Sequence, residues 1–243
     1  MNPSLREVVA AHGGMERWAS CETIEAILST DGLAFRSRFQ GGKLIGKPIH
    51  VEPRRRVVRI DNYPAQGYSG IWTPDVVSIR SESDVVLERE SPRSSFEHFS
   101  RNFRWDAADL LYFCGYALWN YLSFPWLLTE PGMVIRDRRS NAGDIILDAV
   151  FPDNFPTHCR NQSFQFSPEG LLLRHDYTAD VIGRWAAAAN FCLEHQRAGG
   201  LRIYTNRKVV PRIGAFSTLP GPLLVWIRLA DIRVNGFPSK EIS

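Results

Sequence analysis

Apolar positions in the first twenty residues recur at a helical spacing, with Leu5, Val8, Val9, Met15 and Trp18 near one face. Ser4 stands where an N-cap is expected and Glu7 follows three residues later, the pattern of a capping box. Gly13-Gly14 then calls for a kink or for two short helices. From Thr23 onward the period changes to two. Short β-like runs cover 24–28, 33–40, 49–52, 57–61, 70–73, 76–80 and 85–90, parted by turn pairs such as Asp31-Gly32, Gly41-Gly42 and Thr73-Pro74. Strands that follow one another with no helix between them predict an antiparallel meander, not alternating βαβ units.

The middle of the chain is helical by the same criterion. Ser91-Pro92 introduces a short segment around 94–102. Asp106 then opens a run carrying Leu110, Phe113, Ala117, Tyr121 and Phe124, which Pro125 kinks or ends. Apolar residues nearly surround the helix expected over 105–128, so other structure must enclose it, and a curved sheet with one apolar face provides that enclosure. Strands resume at 133–138, 144–150, 160–167, 170–178, 200–210 and 223–234, with a further helix expected around 184–195. Ser167-Pro168-Glu169-Gly170 predicts a hairpin between the third and fourth of these strands. The stretch 211–222 is the one long loop, and the chain ends in a polar tail. The pattern as a whole predicts one α+β, mainly β domain over 1–243, a curved antiparallel sheet wrapped around one or more apolar helices.

Composition adds limits. At 44% hydrophobic and 23% charged residues the chain can bury a large core. A net charge of +3 from 29 basic and 26 acidic residues is too balanced to predict a nucleic-acid surface. The apolar run 110–128 is broken by Asn120, Ser123 and Pro125, so it predicts a buried helix and no integral membrane association. The first residues show no basic leader followed by an apolar run, which makes cytoplasmic residence the expectation. Cys21, Cys114, Cys159 and Cys192 are widely spaced and predict reduced, mostly buried thiols without a metal site.

Four local motifs carry a resemblance over most of the chain: Gly13-Gly14-Met15-Glu16-Arg17-Trp18 before the meander, the helix from Trp105-Asp106 to Trp119-Asn120, Phe155-Pro156-Thr157-His158, and Gly170-Leu171-Leu172-Leu173-Arg174-His175-Asp176-Tyr177. Together they resemble a largely uncharacterised bacterial family similar to the lipoprotein-carrier (LolA/LppX-like) half-barrel, a fold also seen in the violacein-pathway enzyme VioE. The resemblance implies a half-barrel architecture. It also implies a histidine in an Ala-Ala-His stretch where this chain has Asn190.

Strict alternation along 171–178 places Leu171, Leu173, His175 and Tyr177 on one face and Leu172, Arg174, Asp176 and Thr178 on the other. His175 as acid or base and Tyr177 as proton donor are the candidate catalytic pair; a histidine simply satisfied in the core is the competing reading. Counting outward from the hairpin sets 161–162 opposite 175–176, so Gln162 is expected beside His175. His158, Gln162, Tyr112, Tyr116 and Trp119 are the candidate ligand-binding residues. Arg54-Arg55-Arg56 and the basic set Arg202, Arg207, Lys208 and Arg212 fit a solvated rim able to attract an anion. No spacing suits a metal, a phosphate loop or a nucleotide cofactor. Two functions follow as expectations: a binding protein whose half-barrel cavity holds an apolar or lipid-like small molecule, or a cofactor-independent isomerase, cyclase or lyase using His175 and Tyr177 for proton transfer. A structural or partner-binding module would instead expose an apolar patch.

Overall fold

The computed structural model describes residues 1–214 and 217–236. Two short helices open the chain, α1 (Pro3–Ala11) and α2 (Gly14–Ser20). They are followed by β1 (Thr23–Asp31), α3 (Leu33–Arg36), β2 (Leu44–Glu52), β3 (Val57–Asp61), β4 (Ser69–Trp72), β5 (Val76–Arg80) and β6 (Val85–Glu90). Two 3-10 turns, Pro92–Glu97 and Phe99–Asn102, lead into α4 (Ala107–Leu122), and a third covers Trp126–Thr129. The remainder is β7 (Val134–Arg139), β8 (Ile145–Val150), β9 (Asn161–Phe166), β10 (Leu172–Thr178), β11 (Ala187–Ala198), β12 (Leu201–Ile213), β13 (Ser217–Thr218) and β14 (Val225–Asn235).

All strands belong to one antiparallel sheet ordered β6-β5-β4-β3-β2-β1-β14-β12-β11-β10-β9-β8-β7, with β13 attached to β12. The sheet is curved and does not close. Its two edge strands, β6 and β7, are joined through the 91–133 segment, which carries α4 along the inner face. Period-two burial makes this possible: Ile24, Ala26, Leu28 and Thr30 of β1 all point inward.

Helix α4 is buried on every side from Ala108 to Leu122, as its near-continuous apolar sequence requires. Asp106 caps its first turn, with the Asp109 amide donating to Asp106 at 2.9 Å and the Asp106 amide to Asp109 at 2.9 Å. The buried Asp109 carboxylate also receives Arg89 at 2.8 Å, Arg101 at 3.0 Å and Ser95 at 3.0 Å, which fixes this end of the helix to β6 and the 3-10 turns. Further along, two glycines let helix and sheet approach. A Cβ on Gly115 would lie 2.2 Å from Cγ of the buried Trp72, and one on Gly70 would lie 2.8 Å from Leu111.

Several expectations need correction. The run 33–40 is no strand: Leu33–Arg36 is a helical turn entered through Gly32 at φ 151°, which seats Phe35 in the core. The stretch expected as a helix around 184–195 lies largely in β11, where ladders to β10 and β12 outweigh the helix propensity of its alanines. Asn2, not Ser4, caps α1 and accepts from the Leu5 amide at 3.2 Å; Ser4 instead donates to Asp137 at 2.5 Å. The 211–222 loop is shortened at its start, because β12 runs to Ile213 and Arg212 pairs with Thr218. The polar tail from residue 237 lies outside the described residues.

Candidate functional site

The hairpin between β9 and β10 forms as expected, with Gly170 at φ 79° closing the turn. Its register differs by a bulge. Leu172 pairs with Phe166, but Arg174 pairs with Gln165 and His175 with Phe164. The extra residue resets the alternation, so Leu172, His175 and Tyr177 face inward while Leu173 is exposed. His175 and Tyr177 therefore share the core face, with Leu172 in place of Leu171 and Leu173.

Gln162 is a close neighbour of His175 all the same. Its Oε1 lies 2.6 Å from His175 Nε2, and its Nε2 donates to Thr157 Oγ1 and to the Cys159 carbonyl, both at 2.7 Å. His158 enters from the loop before β9. Asn120 holds that loop by donating to the carbonyls of Pro156 and Tyr116, each at 2.7 Å. Tyr116 Oη sits 3.1 Å from His158 Nδ1 and Tyr121 Oη 2.9 Å from Nε2, so both ring nitrogens are engaged. Tyr121 also reaches Tyr177 Oη at 3.3 Å, and Tyr177 stacks on His158 with ring centroids 3.8 Å apart. Phe164 stacks on His175 at 4.3 Å.

Burial dominates the electrostatics of this cluster. It pushes His158 down to about 3, helped by the charges of Arg93 and Arg207, and holds His175 well below the usual histidine range, helped by His158 and Arg207. Burial likewise raises Tyr116 and Tyr177 well above the usual tyrosine range and brings Tyr121 to about 12. At neutral pH both imidazoles and all three phenols are uncharged. A neutral set of this kind holds positions and offers hydrogen bonds to a polar group; it does not supply a cationic acid.

The other sequence candidates lie further out. Tyr112 packs beside Tyr116 at 5.4 Å and accepts from Arg93 at 3.4 Å. Trp119 does not join the cluster: its indole donates to the Pro53 carbonyl at 2.8 Å, and Arg56 covers its ring at 5.2 Å. Two residues that the motifs did not single out for the site are central to it. Tyr121 was legible only as part of the apolar helix, although Asn120 beside it is a lone amide in that run. Arg207, expected at a solvated rim, is 2% exposed. Its phase with Leu201, Ile203 and Val209 on β12 was the available signal.

Three spaces adjoin these residues. Between α4 and strands β1, β12 and β14 runs an apolar crevice lined by Leu28, Phe35, Cys114, Ala117, Val209 and Ile227, with Tyr121 and Tyr177 also on its wall and a volume of about 30 Å³. Behind Tyr121, a void of about 10 Å³ is bounded by Asn120, Gln162, His175 and Arg207. A wider cleft, about 600 Å³, lies around outward-facing side chains of β7–β10, where Arg136, Arg138, Asp148, Arg174 and Asp176 surround Ile146 and Val150. Among the described residues no three His, Cys, Asp or Glu side chains gather to hold a metal ion, and no helix is long and apolar enough to cross a membrane.

No protein-family model matches the chain, and no curated protein matches it by sequence. Solved structures do. A DUF1329 family protein from Desulfovibrio piger aligns with 97% of this chain and 93% of its own at a TM-score of 0.50 and 13% identity. A LolA superfamily protein from Nitrosomonas europaea aligns with 99% of this chain and 96% of its own at a TM-score of 0.51 and 8% identity. The described chain thus has the LolA-like fold, an open antiparallel half-barrel with its helix inside, as the sequence motifs implied.

Proposed function

We propose that this protein binds an apolar or amphipathic small molecule in the crevice between α4 and strands β1, β12 and β14. One observation carries the reading: the inner face of the half-barrel is almost wholly apolar along this seam and opens toward solvent, whereas the cleft of about 600 Å³ on β7–β10 carries four arginines and two aspartates on its lining. Small-molecule sites commonly span about 300–1,000 Å³ and are mostly apolar with a few convergent polar groups. The crevice has that chemistry at about 30 Å³, so binding is coupled to separation of the Cys114, Ala117 and Leu118 face of α4 from the strands. Anchorage of α4 favours this side as the one that yields, since Asp109 and Trp72 hold the helix toward β4 and β6. Tyr121 and Tyr177 stand on its inner wall, where the crevice meets the polar cluster. The LolA superfamily membership of one structural relative agrees with the placement of such a site inside the half-barrel.

Binding is favoured over proton-transfer catalysis because burial holds His158 and His175 well below the usual histidine range, so neither imidazole is poised to exchange a proton near neutral pH. The test is native mass spectrometry of freshly purified protein together with titration of an environment-sensitive naphthalene dye. Retained apolar molecules, or dye binding that Ala117→Trp abolishes without unfolding the protein, are the expected results. An empty protein whose dye signal is indifferent to Ala117→Trp would overturn the reading.

A further inference from the structure

Among the described residues Arg207 is a buried cation without a counter-ion. It is 2% exposed, and among the described residues it forms no ion pair. Its Nη1 donates to the Cys192 thiol at 3.1 Å, a weak acceptor, and its Nη2 has no partner. The guanidinium lies against the Tyr121 ring at 4.4 Å and the Tyr204 ring at 5.4 Å, so both contacts fix its plane without neutralising its charge. A buried charge ordinarily requires both a partner and hydrogen bonds.

A second orphan stands on the neighbouring strand. Asn190 is fully buried, and it pairs with His175 on one side and Val209 on the other, two residues from Arg207. It lies beside the Tyr121 hydroxyl, where it slightly offsets the rise that burial imposes on that phenol, but neither its amide nitrogen nor its oxygen completes a hydrogen bond of good geometry. Next to Arg207 is the void of about 10 Å³ that His175, Gln162 and Asn120 also border, room for about one oxygen-sized atom. Tyr121 lines both this void and the crevice, so its ring stands between the two.

We infer that Arg207, with Asn190 beside it, is the receptor for a carboxylate, and that the crevice ligand is an apolar molecule ending in that group. The inference rests on the crevice reading and names its ligand class. A guanidinium edge presents parallel donors that match a carboxylate, and the low-dielectric surroundings strengthen the pairing. The neighbouring groups suit an anion as well: no carboxylate lines the void, and His158 and His175 are already held neutral. Movement of the Tyr121 ring joins the void to the crevice, with the acyl portion lying between α4 and β12–β14.

The test compares dodecanoate, methyl dodecanoate and acetate by calorimetric titration on the full chain, in wild type, Arg207→Met and Asn190→Leu. Wild type is expected to bind the acid at least tenfold more tightly than the ester. Arg207→Met is expected to reduce that ratio to near one while leaving ester affinity in place, and Asn190→Leu to reduce it in part. Acetate that competes with dodecanoate in wild type but not in Arg207→Met would support the same receptor and show that it also accepts a free carboxylate. Equal binding of acid and ester by wild type, or a preference that survives Arg207→Met, overturns the inference while the crevice stands. If neither acid nor ester binds, the crevice reading itself falls and takes this inference with it. Should Arg207→Met fail to fold, an unchanged preference in Asn190→Leu is the overturning result.

Discussion

His158 and Tyr177 stack with ring centroids 3.8 Å apart and planes 6° from parallel, while the hydroxyl of Tyr121 bonds to both of them. Tyr121 is thus the joint between loop, sheet and helix in the polar interior. Replacing it with phenylalanine keeps the ring under Arg207 but leaves His158 Nε2 buried without a partner, a change that costs about 1–3 kcal/mol. Tyr177→Phe loses only the contact to Tyr121, worth roughly 0.5–1.5 kcal/mol. Urea unfolding of both variants is expected to rank Tyr121→Phe as the more destabilised. The reverse order would mean that the network is not organised around Tyr121.

Acid should unfold the protein before its carboxylates titrate. His12 is pushed down to about 4 and His158 to about 3, and His175 is held well below its ordinary value, burial being the main cause in each case. In the unfolded chain all three take up protons near their ordinary value of about 6.5, whereas the folded protein does not, so stability is full above that pH and falls as pH drops through it. Each histidine contributes a slope of roughly 1.4 kcal/mol per pH unit below 6.5. Urea midpoints measured between pH 7.5 and 5 are expected to be level at first and then to decline steeply. A level midpoint down to pH 5 would show that these imidazoles are not buried and neutral.

Gly115 is expected to tolerate no side chain. Its missing Cβ occupies the position where Trp72 packs, at 2.2 Å from Cγ, and Trp72 is itself fully buried and cannot swing to solvent. Gly115→Ala gains helix propensity of about 1 kcal/mol but forces α4 away from β4, an overpacking cost of about 1–3 kcal/mol or more. Net destabilisation in a thermal melt is the expected outcome; a stabilised variant would place the helix farther from the sheet.

What the sequence made legible was the periodic part. The apolar helix, its start at Asp106, the strand-rich halves and the 167–170 hairpin all follow from spacing and turn chemistry, which act over a few residues. The misread segments are those where distant partners decide. Ala186–Ala189 has helical composition, yet Ala187, Ala188 and Ala189 fill ladder positions between β10 and β12. The bulge between Leu172 and Arg174 inverted the expected alternation without moving His175 or Tyr177 out of the core. Arg207 shows the same limit from the other side. Arginine in a basic cluster reads as surface, and only its in-phase position among Leu201, Ile203 and Val209 marked it as inward-facing.

The Asp109 clamp gives a prediction that bears on both stability and binding. Its carboxylate receives Arg89, Arg101 and Ser95 and caps the Asp106 amide, all at 2.8–3.0 Å, on a side chain with no exposed surface. Asp109→Ala strands two half-buried guanidinium groups on Asp106 alone, a loss of about 3–5 kcal/mol when a buried pair is broken from one side. Asp109→Asn keeps the shape and one acceptor and should lose less. Added salt is expected to change the difference between the two variants little, because buried pairs are weakly screened. The clamp also fixes the first turn of α4 to β6, opposite the crevice. Loosening it should therefore lower the barrier to separating α4 from β12 and β14, and the Asp109→Asn variant is expected to take up an apolar dye faster than wild type in stopped-flow mixing. Slower or unchanged uptake in a folded variant would mean that ligand entry does not depend on the freedom of this helix.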